Sequence, residues 1–277
     1  MANAVELYVE ERPNSGRPVI LIHGWPLSSA AWEHQIDVLA DAGYHVIAYD
    51  RRGFGKSDRP GEGFDYDTLA ADLSHLIETR DLNDVTLVGF SMGGGEVARY
   101  VGNHGQDRIK SLVFASAVPP YLLQTDDNPD GPLTQKAADE FKSALTSDRD
   151  AFFEDFTKDF FSANDELKVS EEERQKALAL CKTSSEEAAL GCMKAWATTD
   201  FREDLKKIKS PTLVIHGDAD GIVPIEGSGK RTHEMVAGSQ MHVLKGAPHG
   251  CNVSHAEEFN KALVTFLEET GERSLPV

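Results

Sequence analysis

The sequence predicts an α/β domain, a mostly parallel sheet with helices on both faces. Three observations carry that expectation. Short runs rich in β-branched residues are apolar on both faces, they alternate with segments of helical period, and one of them ends in a glycine-hemmed serine where a helix begins. The chain has 277 residues, 40% of them hydrophobic, enough for one large α/β domain or two small ones.

In chain order the strand candidates are "PVILIHG" (18–24), "YHVIAYD" (44–50), "VTLVGF" (85–90), "IKSLVFAS" (109–116), "PTLVIHG" (211–217) and "MHVLKG" (241–246). Most lack a polar face, as strands covered on both sides should. The segments of helical period between and after them are "AAWEHQIDVLADAG", "DTLAADLSHLIETRD", "MGGGEVARYVGNHG", "EGSGKRTHEMVAG" and "SHAEEFNKALVTFLEET". The alternation breaks between about Val118 and Asp200. There a proline- and acid-rich loop, "PPYLLQTDDNPDGP", leads into "QKAADEFKSALTS", "RDAFFEDFTKDFF" and "SEEERQKALALCKT", with no strand pattern among them. The expected division is a core of residues 1–117 and 201–277 and a helical insertion of residues 118–200 at the sheet's edge.

A net charge of -18, from 46 acidic and 28 basic side chains, argues against nucleic acid and anionic membrane as partners. The cysteines Cys181, Cys192 and Cys251 are odd in number and lack C-x-x-C spacing, so neither a disulfide framework nor a zinc site is indicated. A metal pair at His216 and Asp218 has no second pair at zinc-like spacing. The first residues, "MANAVELYVEERPNSG", carry neither a basic start nor an apolar h-region, and no apolar run has membrane-span length. The expectation is a soluble, cytoplasmic protein.

The chemistry centres on "GFSMG", a G-x-S-x-G pattern at Gly89, Ser91 and Gly93 that falls where an apolar strand gives way to a helix. That is the setting of a nucleophile elbow. A strand reversing into a helix holds the serine in an unfavourable backbone conformation, and glycines at 89 and 93 let the arms approach. The hydroxyl is pushed above the sheet, beside the unpaired amides of a helix N-terminus. Gly94, Gly95 and Ala98 are expected to let the helix pack closely on its strand.

A serine hydroxyl needs a base, and the base needs an orienting acid. Among ten histidines, His249 in "KGAPHGC" stands just beyond a strand's carboxyl end, where catalytic groups of open α/β sheets gather. The acid is expected after "TLVIHG", at Asp220 in preference to Asp218, because Asp220 lies further beyond the strand and precedes a glycine. Met92, next after the serine, should give one oxyanion-hole amide. In "HGWPLS" Pro26 has no N–H, so the second donor falls to Trp25, whose backbone the proline biases toward an extended form. His23 reads as a brace for that loop.

These residues carry a resemblance. The segments "LIHGWPLSSAAWEHQ", "YDRRGFGKSDRP", "VTLVGFSMGGGEVARY", "PTLVIHGDADGIVP" and "GAPHGCNVSHAEEFNKALVTFL" resemble the α/β-hydrolase-fold family of bacterial arylesterases and cofactor-free haloperoxidases. The resemblance implies an eight-stranded, mostly parallel sheet, a helical cap over the pocket, and a Ser91, Asp220, His249 triad with Trp25 and Met92 as oxyanion donors. It implies no cofactor and no metal. Trp25, Trp196 and Phe160 are expected as apolar pocket walls, Arg51, Arg52 and Gly53 as scaffold, and Cys251 stands where relatives often carry a larger apolar residue. The implied activity is hydrolysis of small-molecule esters, with hydrogen peroxide able to replace water. Homo-oligomers are common among such relatives, although no interface is legible. An amidase or γ-lactamase with the same triad, or a ligand receptor on the same fold, remains the alternative.

Overall fold

The computed structural model describes residues 5–272. Strands β1 (Val9–Arg12) and β2 (Pro18–Ile22) lead through a 3-10 turn at Ser29–Trp32 to α1 (Glu33–Asp41), β3 (His45–Tyr49), α2 (Tyr66–Thr79), β4 (Val85–Phe90), α3 (Met92–His104) and β5 (Ile109–Ala115). An insertion follows, with α4 (Gln135–Ser147), α5 (Arg149–Phe161), the two-residue strands β6 (Ser162–Ala163) and β7 (Glu166–Leu167), α6 (Glu171–Lys182) and α7 (Glu186–Thr198). The chain returns through α8 (Arg202–Leu205), β8 (Thr212–Gly217), α9 (Gly229–Met235), β9 (Gln240–Leu244), α10 (Cys251–Ser254) and α11 (Ala256–Glu272).

Seven strands form one sheet in the order β1-β3-β2-β4-β5-β8-β9. All neighbours are parallel except β1 and β3. Strand β4 therefore runs through the middle, and every residue of β4 and β8 is buried, as strands with no polar face require. Their few polar side chains are satisfied locally: Thr86 and Ser111 share a hydrogen bond of 2.8 Å between β4 and β5.

The sheet departs from the expected eight strands. Among the described residues the N-terminal segment adds only β1, because the residues just before it bond to a loop instead of pairing as a hairpin. Glu6 and Asp58 exchange hydrogen bonds, and the Tyr8 N–H donates to Ser57 Oγ at 2.8 Å. The β1 strand itself is half-buried and reads "VEER", so it owes its form to its pairing with β3 rather than to an apolar pattern.

The insertion also departs from a strand-free expectation. Asn164 and Asp165 both take positive φ (53° and 62°), the combination a two-residue hairpin turn needs, and they join β6 to β7. Its helices are polar yet well started: Thr134, Asp148, Ser170 and Ser185 each accept a backbone N–H with their side chains at the N-termini of α4, α5, α6 and α7. No helix among the described residues is long and apolar enough to cross a membrane.

Candidate active site

The central strand β4 ends at Phe90, Ser91 follows, and α3 begins at Met92. Ser91 has φ 54° and ψ -118°, a conformation L-residues adopt only when their surroundings impose it. The imposition is visible on both sides. The Ser91 N–H donates to Ala115 O at 2.8 Å, continuing the β4 to β5 ladder, and its carbonyl accepts from Gly94 and Val118. A Cβ on Gly89 would stand 2.4 Å from Gly93 O, and one on Gly93 would stand 2.4 Å from Ile22 O of β2. Gly94 abuts Ala117, beyond β5. Gly95 does not face the strand as expected; it makes room for Tyr66 of α2 and for Phe201, because one residue further along a helix turns the side chain about 100°.

His249, in the loop after β9, brings Nε2 to 2.9 Å from Ser91 Oγ. Its Nδ1 lies 2.7 Å from Asp220 Oδ2. All three side chains are nearly buried, with 6%, 1% and 6% of Ser91, His249 and Asp220 exposed. The second oxygen of Asp220 accepts from the Ile222 and Val223 N–H groups at 2.9 and 2.8 Å. Burial works to raise the Asp220 pKa, but the facing charge of His249 and the hydrogen bonds from His216 and His249 outweigh it. The carboxyl is held well below its ordinary range. Asp218 does other work: its Oδ1 accepts the Gly246 N–H at 2.6 Å and ties the two loops together from outside.

In the sequence His216 stands out only as half of a metal pair with Asp218 that lacks a second pair of ligands. In the structure it lies behind Asp220, fully buried, with Nε2 2.8 Å from Val223 O and 3.2 Å from Asp220 Oδ2. Its position four residues before Asp220 was the one available signal, and that spacing in a strand-to-loop crossing does not reveal contact.

The loop after β2 passes against the serine, since a Cβ on Gly24 would stand 3.1 Å from Ser91 Cβ. His23 Nε2 accepts the Arg51 N–H at 3.0 Å while its Nδ1 bonds Gly24 O at 2.8 Å. Burial, then the nearby Arg51 charge, drive the His23 pKa well down, so it braces as a neutral imidazole. Arg52 holds Asp72 with two bonds of 2.6 Å, and Gly53 O accepts from Ser185 at the start of α7. Met92 opens α3, and its carbonyl accepts the Tyr66 hydroxyl at 2.9 Å.

The expected wall residues fall into two groups. Trp25 is buried under insertion aromatics, among them Phe156 at 5.3 Å and Trp196 at 5.9 Å between ring centroids, and its indole N–H donates to Ala189 O. Phe160 sets its ring edge-on to His249 at 4.9 Å, and Phe90 lies 5.2 Å from the same imidazole. Cys251 is buried with Sγ 3.3 Å from Ser116 Oγ. Away from these residues Glu33, His34 and Glu173 lie close enough to share a cation, yet Lys176 Nζ already stands 3.0 Å from Glu173 and 3.4 Å from Glu33.

Comparison with known proteins agrees with this architecture. Residues 17–256 match the family model described as alpha/beta hydrolase fold. A crystal structure of bromoperoxidase from Bacillus anthracis superposes with a TM-score of 0.94 at 51% identity, covering 96% of this chain and 97% of that one. A putative non-heme chloroperoxidase of Synechocystis sp. is 44% identical over 266 residues, 95% of each chain. A bifunctional esterase/perhydrolase of Acinetobacter calcoaceticus is 36% identical over 268 residues, 96% of this chain and 97% of its own.

Proposed function

The chain belongs to the alpha/beta hydrolase fold family, among its non-heme haloperoxidases and esterases, and from that premise we propose that it is a serine carboxylester hydrolase working through an acyl-enzyme. One observation carries the reading: an unbroken line from Asp220 Oδ2 through His249 to Ser91 Oγ, with gaps of 2.7 and 2.9 Å. Both lie within hydrogen-bond reach, the geometry asked of an orienting acid, a base and a nucleophile.

In the proposed cycle His249 Nε2 takes the Ser91 proton as Oγ attacks the ester carbonyl carbon. The carbonyl π pair moves onto oxygen, where the N–H groups of Trp25 and Met92 hold it. Collapse expels the alkoxide, which takes the proton from His249, and leaves Ser91 acylated. Water then attacks the acyl carbon and gives a proton to His249; collapse of this second intermediate breaks the acyl–Oγ bond, Ser91 Oγ takes that proton back, and the acid is released. Asp220, kept ionised, holds His249 with Nδ1 protonated and Nε2 free to accept, and offsets the imidazolium charge. In this reading the insertion helices act as a cap, with Phe160, set against His249, as an apolar wall, while Trp25 and Trp196 pack on each other beneath the insertion aromatics.

Perhydrolysis is the second reading, favoured by Pro26 and by similarity to the Acinetobacter esterase/perhydrolase. Proline limits the backbone of Trp25, and a Trp25 carbonyl held in place can accept a hydrogen bond from hydrogen peroxide as it attacks the acyl-enzyme. The product would be a peracid, itself able to oxidise halide. An unchanged ratio of perhydrolysis to hydrolysis in Pro26→Leu removes this support.

The direct test of the main reading is a serine-reactive phosphonate followed by peptide mass spectrometry, beside a panel of short and aromatic esters, lactones and lactams. A single adduct on Ser91 with ester turnover is expected. An adduct elsewhere overturns the assignment, and fast lactam opening with feeble ester cleavage makes the protein an amidase.

A further inference from the structure

The orienting acid has a second imidazole behind it. A carboxylate offers about four acceptor directions, and at Asp220 all are used. Oδ1 takes the amides of Ile222 and Val223; Oδ2 faces Nδ1 of His249 at 2.7 Å and Nε2 of His216 at 3.2 Å. The tautomer of His216 follows from its surroundings. Nε2 is met only by acceptors, Val223 O and Asp220 Oδ2, so it carries the hydrogen. Its Nδ1 is buried without a partner among the described residues, and Gly229 lies so near that a Cβ there would stand 2.5 Å from it.

We propose that His216 is a positioning residue for the acid: its Nε2–H, bonded to Val223 O at 2.8 Å, also stands 3.2 Å from Asp220 Oδ2, and this longer second contact helps hold the carboxylate plane and limits the negative charge that His249 feels. This inference deepens the esterase reading and rests on it. The titratable groups packed against Asp220 are His249 from the loop after β9, His216 from β8 and Cys251 from α10. Of these only the two imidazoles present an N–H to Asp220, His249 directly and His216 through the second, longer branch of its bond to Val223 O, so removing one leaves more of the carboxylate's charge for the other.

The test uses the intact protein. In 15N-histidine spectra of the wild type, His216 should show a protonated Nε2 and a bare Nδ1; the opposite tautomer overturns the proposal. In His216→Leu, the acid limb of kcat/KM for p-nitrophenyl acetate should move up by roughly 0.5 to 1 pH unit, with a plateau loss of roughly 10-fold. His216→Gln keeps an N–H near the Nε2 position and should bring the limb back. A purely structural role lowers kcat or stability but leaves the limb in place, and an unmoved limb in folded His216→Leu rejects the inference. Absence of ester turnover in the wild type defeats the esterase reading instead. The low-field His249 Nδ1–H resonance, expected to move further downfield in His216→Leu, still decides the shared contact.

Discussion

Arg51 Nε donates to Glu96 Oε2 at 2.8 Å, with both side chains about 1% exposed. This buried pair ties helix α3, which starts just after Ser91, to the loop that carries Trp25, because Arg51 Nη2 also donates to His23 O at 2.8 Å. Tyr49 adds its hydroxyl to the same carboxylate. The two proposed oxyanion donors thus belong to segments linked through one guanidinium. Breaking a buried pair leaves an uncompensated charge, whereas replacing both partners with apolar groups is often near neutral. Glu96→Ala should therefore cost about 3 to 5 kcal/mol in urea unfolding. Arg51→Met with Glu96→Leu should recover much of that loss while turnover stays low, since the loop has lost its tether. Equal stability of Glu96→Ala and wild type contradicts this account.

At the elbow the constraint is backbone against backbone. A Cβ on Gly89 meets Gly93 O at 2.4 Å and Gly94 Cα at 2.7 Å, neither of which can rotate away. Gly89→Ala is expected to destabilise the protein by more than about 3 kcal/mol or to prevent folding, as overpacking at an immovable contact does. Gly61→Ala is the control, because nothing lies within 4 Å of its added methyl. Thermal melts of the two variants, compared with the wild type, check the expectation; a small shift for Gly89→Ala would mean the elbow can open.

The two aspartates of "HGDADG" should separate cleanly in kinetics. Asp220→Asn leaves the shape of the site but presents an amide that favours the wrong histidine tautomer, so kcat should fall on the order of 10⁴-fold. Asp218 only caps the Gly246 amide from the exposed side, and Asp218→Asn should change kcat by less than about 3-fold. Steady-state rates on p-nitrophenyl acetate measure both, and the reverse ranking would transfer the acid's role to Asp218.

How much of this was legible in sequence depends on whether a signal is local. Strand β4 and its serine announce themselves within sixteen residues, "VTLVGFSMGGGEVARY", since apolar run, glycines and helix start are contiguous. The five parallel strands β2, β3, β4, β5 and β8 read equally well because burial on both faces leaves no polar face, whereas the edge strand β9 is partly exposed and is legible only as a short β-branched run before a glycine. Strand β1 could not be read: its "VEER" takes extended form only through pairing with β3. Helix α7 had its signal, Ser185 before an alanine-rich run, but a polar insertion offers no strand on either side to frame it. The contact between His216 and Asp220 depends on how the chain turns after β8, which residue types alone do not state. Gly95 was misdirected for a related reason, since the face a helical glycine serves depends on which neighbours pack there.

The three thiols give a pH test of the core itself. Cys181, Cys192 and Cys251 are fully buried, and burial pushes the latter two up to about 12 and Cys181 higher still. An unfolded thiol titrates near about 8.5. The native values lie above the unfolded one, so each cysteine's contribution to stability is fully present below about pH 8.5 and is lost as pH rises through the native value. The thiolate is the reactive form, and here it is suppressed as well as enclosed. Native protein at about pH 8 should leave all three cysteines unmodified by Ellman's reagent, while protein in concentrated urea should react at all three. The urea midpoint should hold steady near neutrality and fall above about pH 9, as unfolding comes to release protons that the native state retains. Prompt reaction of Cys251 in the native state would be the most damaging outcome. It would mean that α10, which begins two residues after His249, is open to solvent, and that the imidazole lacks the enclosed setting on which its short contacts to Ser91 and Asp220 depend.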